Sequence, residues 1–297
     1  MWLFPPVSQA SPLVVSVAKA TNTTDALTRA LHRASDLADA KIQRRFLEAA
    51  DNLTDYDEEE LIQALEHGDI HRALILLNVA QFPALFLTVA PEITALALRG
   101  VEITLAHLAL RHVQVNIFRV NPRAVTWARN YSSNLVVQIG DETRSALRTT
   151  IAEGLQAGNN PRVIARDVRQ MIGLTNNQAR SVQNYRAMLE RRKEKGAERK
   201  AQRYADKKLR ERAENIARTE AIRAVSEAQR VSYEVAYNEG KLPRSTKRKW
   251  IATQGERTCP LCLALNGTIV GVSEPFAPGI MTPPRHPSCR CSVRAVF

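Results

Sequence analysis

All four cysteines of this 297-residue chain fall in two short clusters near its end, Arg257-Thr-Cys-Pro-Leu-Cys262 and Arg285-His-Pro-Ser-Cys-Arg-Cys291. Cys259 and Cys262 have C-x-x-C spacing, which lets one tight turn aim two thiolates at a single ion with bonds of about 2.3 Å. His286, Cys289 and Cys291 form the second cluster. In an extended segment Cys289 and Cys291 point to the same side, because side chains alternate with period two. Five donors then compete for the four places of a tetrahedral structural zinc: Cys259, Cys262, Cys289 and either His286 or Cys291, with the fifth group behind the others. Two disulfides, or free buried thiols, are the plainer alternatives. Met1-Trp-Leu-Phe-Pro-Pro6 lacks the basic start and unbroken apolar stretch of a secretory leader. A reducing compartment disfavours disulfides, so zinc is the expectation. The intervening loop holds Gly267, Gly271, Gly279, Pro275, Pro278, Pro283 and Pro284, with Pro287 just beyond. It buries little apolar surface and needs a metal or covalent staple to order it.

The elements that must carry these clusters are mostly helical. Residues 1–22, with Pro5, Pro6 and Pro12, read as an extended arm. Residues 23–115 read as an acidic helical region. Its first helix, from Asp25 to Asp51, has Leu31, Ala34, Ala38, Ile42, Phe46 and Leu47 on one face. A second runs from the acids at 55–60 to His67-Gly68, and others cover 69–82, 84–90 and 91–111, joined at Pro83 and Pro91. Ala73 to Ala90 is uncharged and near membrane-spanning length, but Asn78, Gln81 and Pro83 interrupt it, so buried helices are expected rather than membrane contact.

Residues 116–243 read as a basic helical region. Val113–Phe118 reads as a short strand or linker, and Asn121-Pro122 as the start of the next unit. Helices are predicted from an N-cap at Asp141 to Gly158, from Asn160-Pro161 to Gly173, and from Thr175 onward. Residues 186–212 hold twelve Lys+Arg and five acids, which suggests an exposed helix laced with i to i+4 pairs or, alternatively, a DNA-facing one. A long amphipathic helix then runs from Ile216 to Gly240, where Arg218 and Glu220 read as structural pairs. After Pro243, strands are predicted over Thr246–Thr253 and Gly267–Val272, making residues 244–297 a small Cys/His-rich module. The fold class is mainly α: helical N-terminal and central regions followed by a small, zinc-stapled C-terminal α+β module.

Charge divides the chain. Residues 1–115 carry 9 Lys+Arg against 14 Asp+Glu, net −5, and residues 116–297 carry 33 against 16, net +17. A basic half suits a polyanion, and nucleic acid first. Only 5% of residues are aromatic, and the basic stretches lack interleaved rings for stacking on single strands, so double-stranded DNA is the expected form. The candidate contacts are Arg191, Arg192, Lys193, Lys195, Arg199, Lys200, Arg203, Lys207, Lys208, Lys247, Arg248 and Lys249.

The order Ala217-Arg-Thr-Glu220 in a long helix, Gly240 at its end, Trp250 on a strand, Arg257-Thr-Cys-Pro-Leu-Cys262, Leu265-Asn-Gly267, Phe276 and Pro283-Pro-Arg-His-Pro-Ser-Cys-Arg-Cys291 resembles the phage Mu F-like family. These are minor head, or head morphogenesis, proteins of tailed bacteriophages. The resemblance covers roughly residues 125–297, including Asp141-Glu-Thr-Arg144 and the Gly158-x-x-Pro161 stretch. Glu256 stands where an Asp is common, residues 1 to about 115 match no part of the family, and the basic stretch near 190–212 looks like an insertion. The resemblance implies a virion protein assembled in the host cytoplasm. It would join the procapsid in few copies, at the portal vertex or capsid interior, contact portal and other head proteins in an oligomer set by that vertex, and enter the host with the DNA.

Two other functions compete. A zinc-dependent nuclease or toxin-like effector would need a general base and a second metal site. Residues 244–297 contain one histidine, His286, and two acids, Glu256 and Glu274. A cysteine-rich set also closes the coordination position that hydrolysis requires. No G-x-x-x-x-G-K phosphate loop occurs, and neither enzyme activity nor a small-molecule substrate is expected. A DNA-binding regulator would need a helix-turn-helix pattern, which is not evident.

Overall fold

A computed structural model describes residues 23–53, 55–252 and 259–297. The arm predicted over 1–22, and Glu256, lie outside the described residues. Helix α1 (Thr23–Asn52) is followed by α2 (Glu58–Glu66), which Asp57 caps by accepting from the Glu60 amide, and α3 (Ile70–Leu76). Helix α4 (Phe82–Phe86) lies between two 3-10 turns, Val79–Gln81 and Leu87–Val89, and α5 (Ala90–Ala109) follows. Pro83 and Pro91 sit in the first turns of α4 and α5, where no amide donor is needed. Val79–Ala109 is long and apolar enough to cross a membrane by length and composition, yet Phe82, Phe86, Ile93, Ala97, Val101 and Leu108 are buried against neighbouring helices.

Helix α6 (Ile117–Gln156) corrects two expectations and decides a third. Of the strand or linker read over 113–118, the linker is found over 113–116, and Asn116 caps α6 by accepting from the Phe118 amide at 2.9 Å. Pro122 lies inside α6 rather than opening a unit, and Asp141 is not an N-cap but an exposed mid-helix residue paired with Arg144 at 2.8 Å. Burial of Ala128, Val136, Ile139, Leu147 and Ile151 along one stripe keeps the helix continuous through both local stop signals.

The next boundaries fall where expected. Asn160 caps α7 (Pro161–Met171) and Thr175 closes a capping box on α8 (Asn176–Arg191), with Gly158 and Gly173 at φ +68° and +77° in the turns between. Residues 186–212, however, are not one exposed helix. The chain reverses over 192–196, through Lys193 and Gly196 at positive φ, and α9 (Ala197–Asn238) runs 42 residues without a break, so the basic stretch and the Ala-rich helix after it are one element.

Helix α9 lies against α1, α5, α6, α7 and α8. Ala213, Ala217, Ala221, Ala224 and Ala228 line its buried sides. The charge boundary near residue 115 is not a packing boundary, since one core joins Leu31, Phe46 and Phe86 to Leu147, Val168 and Val225. Three antiparallel strands complete the chain, β1 (Lys247–Ile251), β2 (Ile269–Gly271) and β3 (Ser292–Val296), in the order β2-β1-β3, with α10 (Pro260–Leu265) inserted after β1. Trp250 pairs across β1 and β3 with Val293 and meets Phe276 edge-on at 5.3 Å.

Gly100 marks the tightest crossing. A Cβ there would come within 2.8 Å of the Ala228 Cβ and 3.1 Å of the Val225 Cα, across the α5–α9 contact. Helix propensity alone favours alanine at such a site by about 1 kcal/mol. Steric overlap reverses the sign, and Gly100→Ala is expected to destabilise the fold by about 1–3 kcal/mol, read as a lowered urea midpoint. A raised midpoint would mean that the two helices can separate without cost.

Candidate metal centre

Period-two alternation on β1 turns Arg248 and Trp250 into the module and leaves Lys247 and Lys249 on the opposite face. Around Trp250 a separate small core gathers Ala252, Leu265, Phe276 and Val293 together with Cys262, Cys289 and Cys291. Cys259 is the N-cap of α10 and accepts from the Cys262 amide at 3.3 Å, so the C-x-x-C pair sits on the first turn of a short helix. The Asn266 side chain accepts from the Ala252 amide at 3.0 Å and closes that excursion against β1.

The second cluster comes to meet the first. His286 Nε2 lies 3.1 Å from the Cys259 sulfur and 3.1 Å from that of Cys262, and the Cys262 and Cys289 sulfurs are 3.7 Å apart. Cys291 joins Cys262 and Cys289 in a second close set, so Cys262 is common to both. A tetrahedron built on metal–sulfur bonds of about 2.3 Å has edges of about 3.8 Å. The Cys262–Cys289 spacing matches such an edge, the two imidazole–sulfur contacts are shorter, and soft thiols with one imidazole are a donor set that suits a metal ion. The five residues Cys259, Cys262, His286, Cys289 and Cys291 therefore cluster where they could hold a metal ion. His286 Nδ1 faces the Pro287 carbonyl at 2.8 Å, which keeps Nε2 toward the sulfurs.

The thiols do not titrate alike. A hydrogen bond from Cys291 holds Cys289 below the ordinary thiol range, and the same contact together with burial pushes Cys291 up. Burial also raises Cys262. Of these three, Cys289 is the thiol most readily deprotonated. A bound cation would deprotonate its other thiol ligands as well.

Residues that sequence reasoning passed over seat this cluster on the helical body. The Ser288 amide donates to Thr219 Oγ1 at 2.9 Å and its hydroxyl to Asn215 Oδ1 at 2.8 Å, both on α9. Arg290 pairs with Asp36 of α1 at 3.2 Å, and Arg285 donates to the Leu261 carbonyl at 2.8 Å. The Ala217-Arg-Thr-Glu220 run thus has a structural task. Thr219 receives the loop, Arg218 pairs with Asp39 and Glu214, and Glu220 is buried beside Tyr131 and Arg223, with burial raising its pKa.

The candidate DNA contacts separate into groups. Arg191, Arg192, Lys193, Lys195, Arg199, Lys200 and Arg203 are exposed around the α8–α9 turn, and Lys207 follows on α9. Lys208 is half-buried, paired with Glu211 at 2.8 Å and lying over the Tyr204 ring. Arg248 is a correction. It is 1% exposed, and its guanidinium donates to the carbonyls of Met281 at 2.7 Å, Glu274 at 2.5 Å and Gly271 at 3.4 Å, so it holds the loop after β2 rather than any partner.

Thr219→Val keeps the shape but removes the acceptor for the Ser288 amide. It is expected to cost about 1–2 kcal/mol and to speed amide exchange over residues 285–291 by roughly ten-fold. Unchanged exchange, measured by mass spectrometry, would show that the loop is seated by other contacts.

Compared with known proteins, the chain matches no curated protein and no solved structure. The model of the family described as phage Mu protein F like protein matches residues 145–294. That span runs from the middle of α6 through α9 to β3, and takes in the whole cysteine–histidine cluster and the threonine that seats it. The chain therefore belongs to the phage Mu F-like family of phage head morphogenesis proteins.

Proposed function

We propose that this protein is a minor head component placed at the portal vertex, and that one zinc ion closes its C-terminal module. The observation that carries the zinc reading is the clustering of four sulfurs and one imidazole, in two close sets that share Cys262, within a core of few residues. Such a set fills every place around the ion, which suits a staple rather than a hydrolytic centre. The chemistry around it agrees: Glu274, one of the module's two acids, accepts from the Gly271 amide at 2.7 Å and serves the turn after β2. An assembly role is thus favoured over nuclease or toxin-like activity. Family membership supports association with other head components, and the exposed basic turn between α8 and α9 supports contact with packaged double-stranded DNA.

Elemental mass spectrometry on protein purified under reducing conditions tests the staple. One zinc per chain is expected, lost in Cys259→Ser/Cys262→Ser, with residues 244–297 becoming protease-sensitive while the helical body stays folded. Metal-free protein with an intact module would sink the zinc reading. Co-expression with the portal protein of the same phage should give a complex that survives size exclusion, and its absence would count against the portal placement.

A further inference from the structure

The stretch 191–203 carries seven Lys+Arg and two acids, Glu194 and Glu198. If those acids were free they would neutralise part of the charge. Both are already paired with cations, which leaves most of the positive charge unmatched. Glu194 pairs with Lys200 across the turn. Glu198, on the exposed surface, pairs with Arg166 at 3.1 Å and Arg186 at 3.4 Å and accepts from the Gln170 amide at 2.8 Å. Arg191, Arg192, Lys193, Lys195, Arg199 and Arg203 are left exposed, and none makes an ion pair with an acid among the described residues.

These six cations share the end of one stiff hairpin. Arg186, buried on α8, is held by Asp167 and Gln170 of α7. Arg212, two turns and more along α9, is held by Glu142 of α6 at 2.7 Å and by the Gly173 carbonyl at 2.7 Å. Both roots of the hairpin are therefore fixed to the body, and the charge is presented with little freedom to lose on binding. Arg199 and Arg203, one turn apart, add a row with a spacing of about 6 Å along one face of α9.

We propose that the tip of the α8–α9 hairpin is the surface through which this protein holds duplex DNA, by its phosphates and without reading sequence. The inference rests on the DNA-contact part of the functional reading above and assigns it to one place. Single strands are disfavoured because Tyr204, the aromatic ring nearest the tip on α9, is covered by Tyr185 at 4.6 Å on one side and Lys208 at 5.3 Å. Insertion into a groove is disfavoured by width. Each helix is about 10–12 Å across, so a packed pair exceeds a major groove of about 12 Å.

Fluorescence anisotropy with a labelled 30-base-pair duplex of arbitrary sequence, titrated with the full-length protein between 50 and 200 mM NaCl, tests this. Six phosphate contacts give a log–log salt slope of about −5, or a loss of roughly a thousand-fold in affinity over that range. Arg192→Ala/Lys195→Ala/Arg199→Ala/Arg203→Ala should reduce the slope to about −2 while leaving the thermal midpoint in place. Arg33→Ala/Lys41→Ala/Arg44→Ala/Arg123→Ala removes the same charge from exposed positions elsewhere and should keep the wild-type slope. Equal slopes for wild type and tip variant would overturn the assignment to the hairpin and leave DNA contact standing on another surface, with Lys247→Ala/Lys249→Ala the next variant to measure. Absence of duplex binding at 50 mM salt would overturn both readings, as would capture of polyglutamate in place of DNA.

Discussion

Helix α9 can serve as a shared wall for so many neighbours only because alanine lines it. Ala205, Ala213, Ala217, Ala221, Ala224 and Ala228 are all buried, and none projects far enough to hold a partner helix away. Where even alanine meets too much bulk, the partner gives up its side chain, as Gly100 does on α5. A helix of 42 residues spans about 63 Å, so one end can root a charged hairpin while its middle receives the metal loop. Each neighbour gains burial along a common rod, and the acidic and basic regions become one packed body.

The buried ion pairs explain how a helix with so many cations can also be a core element. Arg212 meets a carboxylate, a carbonyl and the face of Phe46, and Arg186 donates to Asp167 and Gln170 through its two terminal nitrogens. A buried cation left without such partners would cost several kcal/mol, so these carboxylates cannot be released to the surface. Packing thereby sorts charge. Arg186 and Arg212 stay inside, each held by acids of neighbouring turns and helices, and the excess positive charge is left at the α8–α9 turn. The net charge of the segment, read as a sum, conceals that separation.

Local chemistry was legible wherever a cap or turn acts within a few residues. Asn160-Pro161, Thr175 and the glycines at 158 and 173 placed their boundaries, because there the cap side chain or left-handed residue satisfies the helix end locally. The same rules failed at Pro122 and Asp141. Both are plausible starts in isolation, but a long buried stripe on α6 outweighs a lost amide bond at one position and a weak capping preference at the other. The spacing of the cysteines and His286 made their clustering legible, since few side chains can hold a metal ion in that way. Its seat was not. Nothing in the spacing of Thr219, Asn215, Ser288 or Asp36 announces that residues 69 or more positions apart will meet. Arg248 misled for a related reason: among Lys247, Arg248 and Lys249 only strand alternation decides which one turns inward, and it is the arginine, whose planar fork can reach three carbonyls at once.

Ser288 joins these themes. It stands between His286 and Cys289 at φ +57°, a left-handed conformation that costs a serine on the order of 1 kcal/mol. Two helix side chains hold it there, and His286 and Cys289 on either side both approach the Cys262 sulfur, at 3.1 and 3.7 Å. The loop therefore acquires its donor geometry from α9 as much as from the sheet, while Arg290 extends the contact to α1. An ion held by His286 and Cys289 would in turn lock the backbone between them and stabilise the docked loop, by the reciprocity that links any two events favouring one conformation. The metal cluster and the helical body are thus two ends of one equilibrium, and the short Thr219–Ser288 hydrogen bond is where they meet.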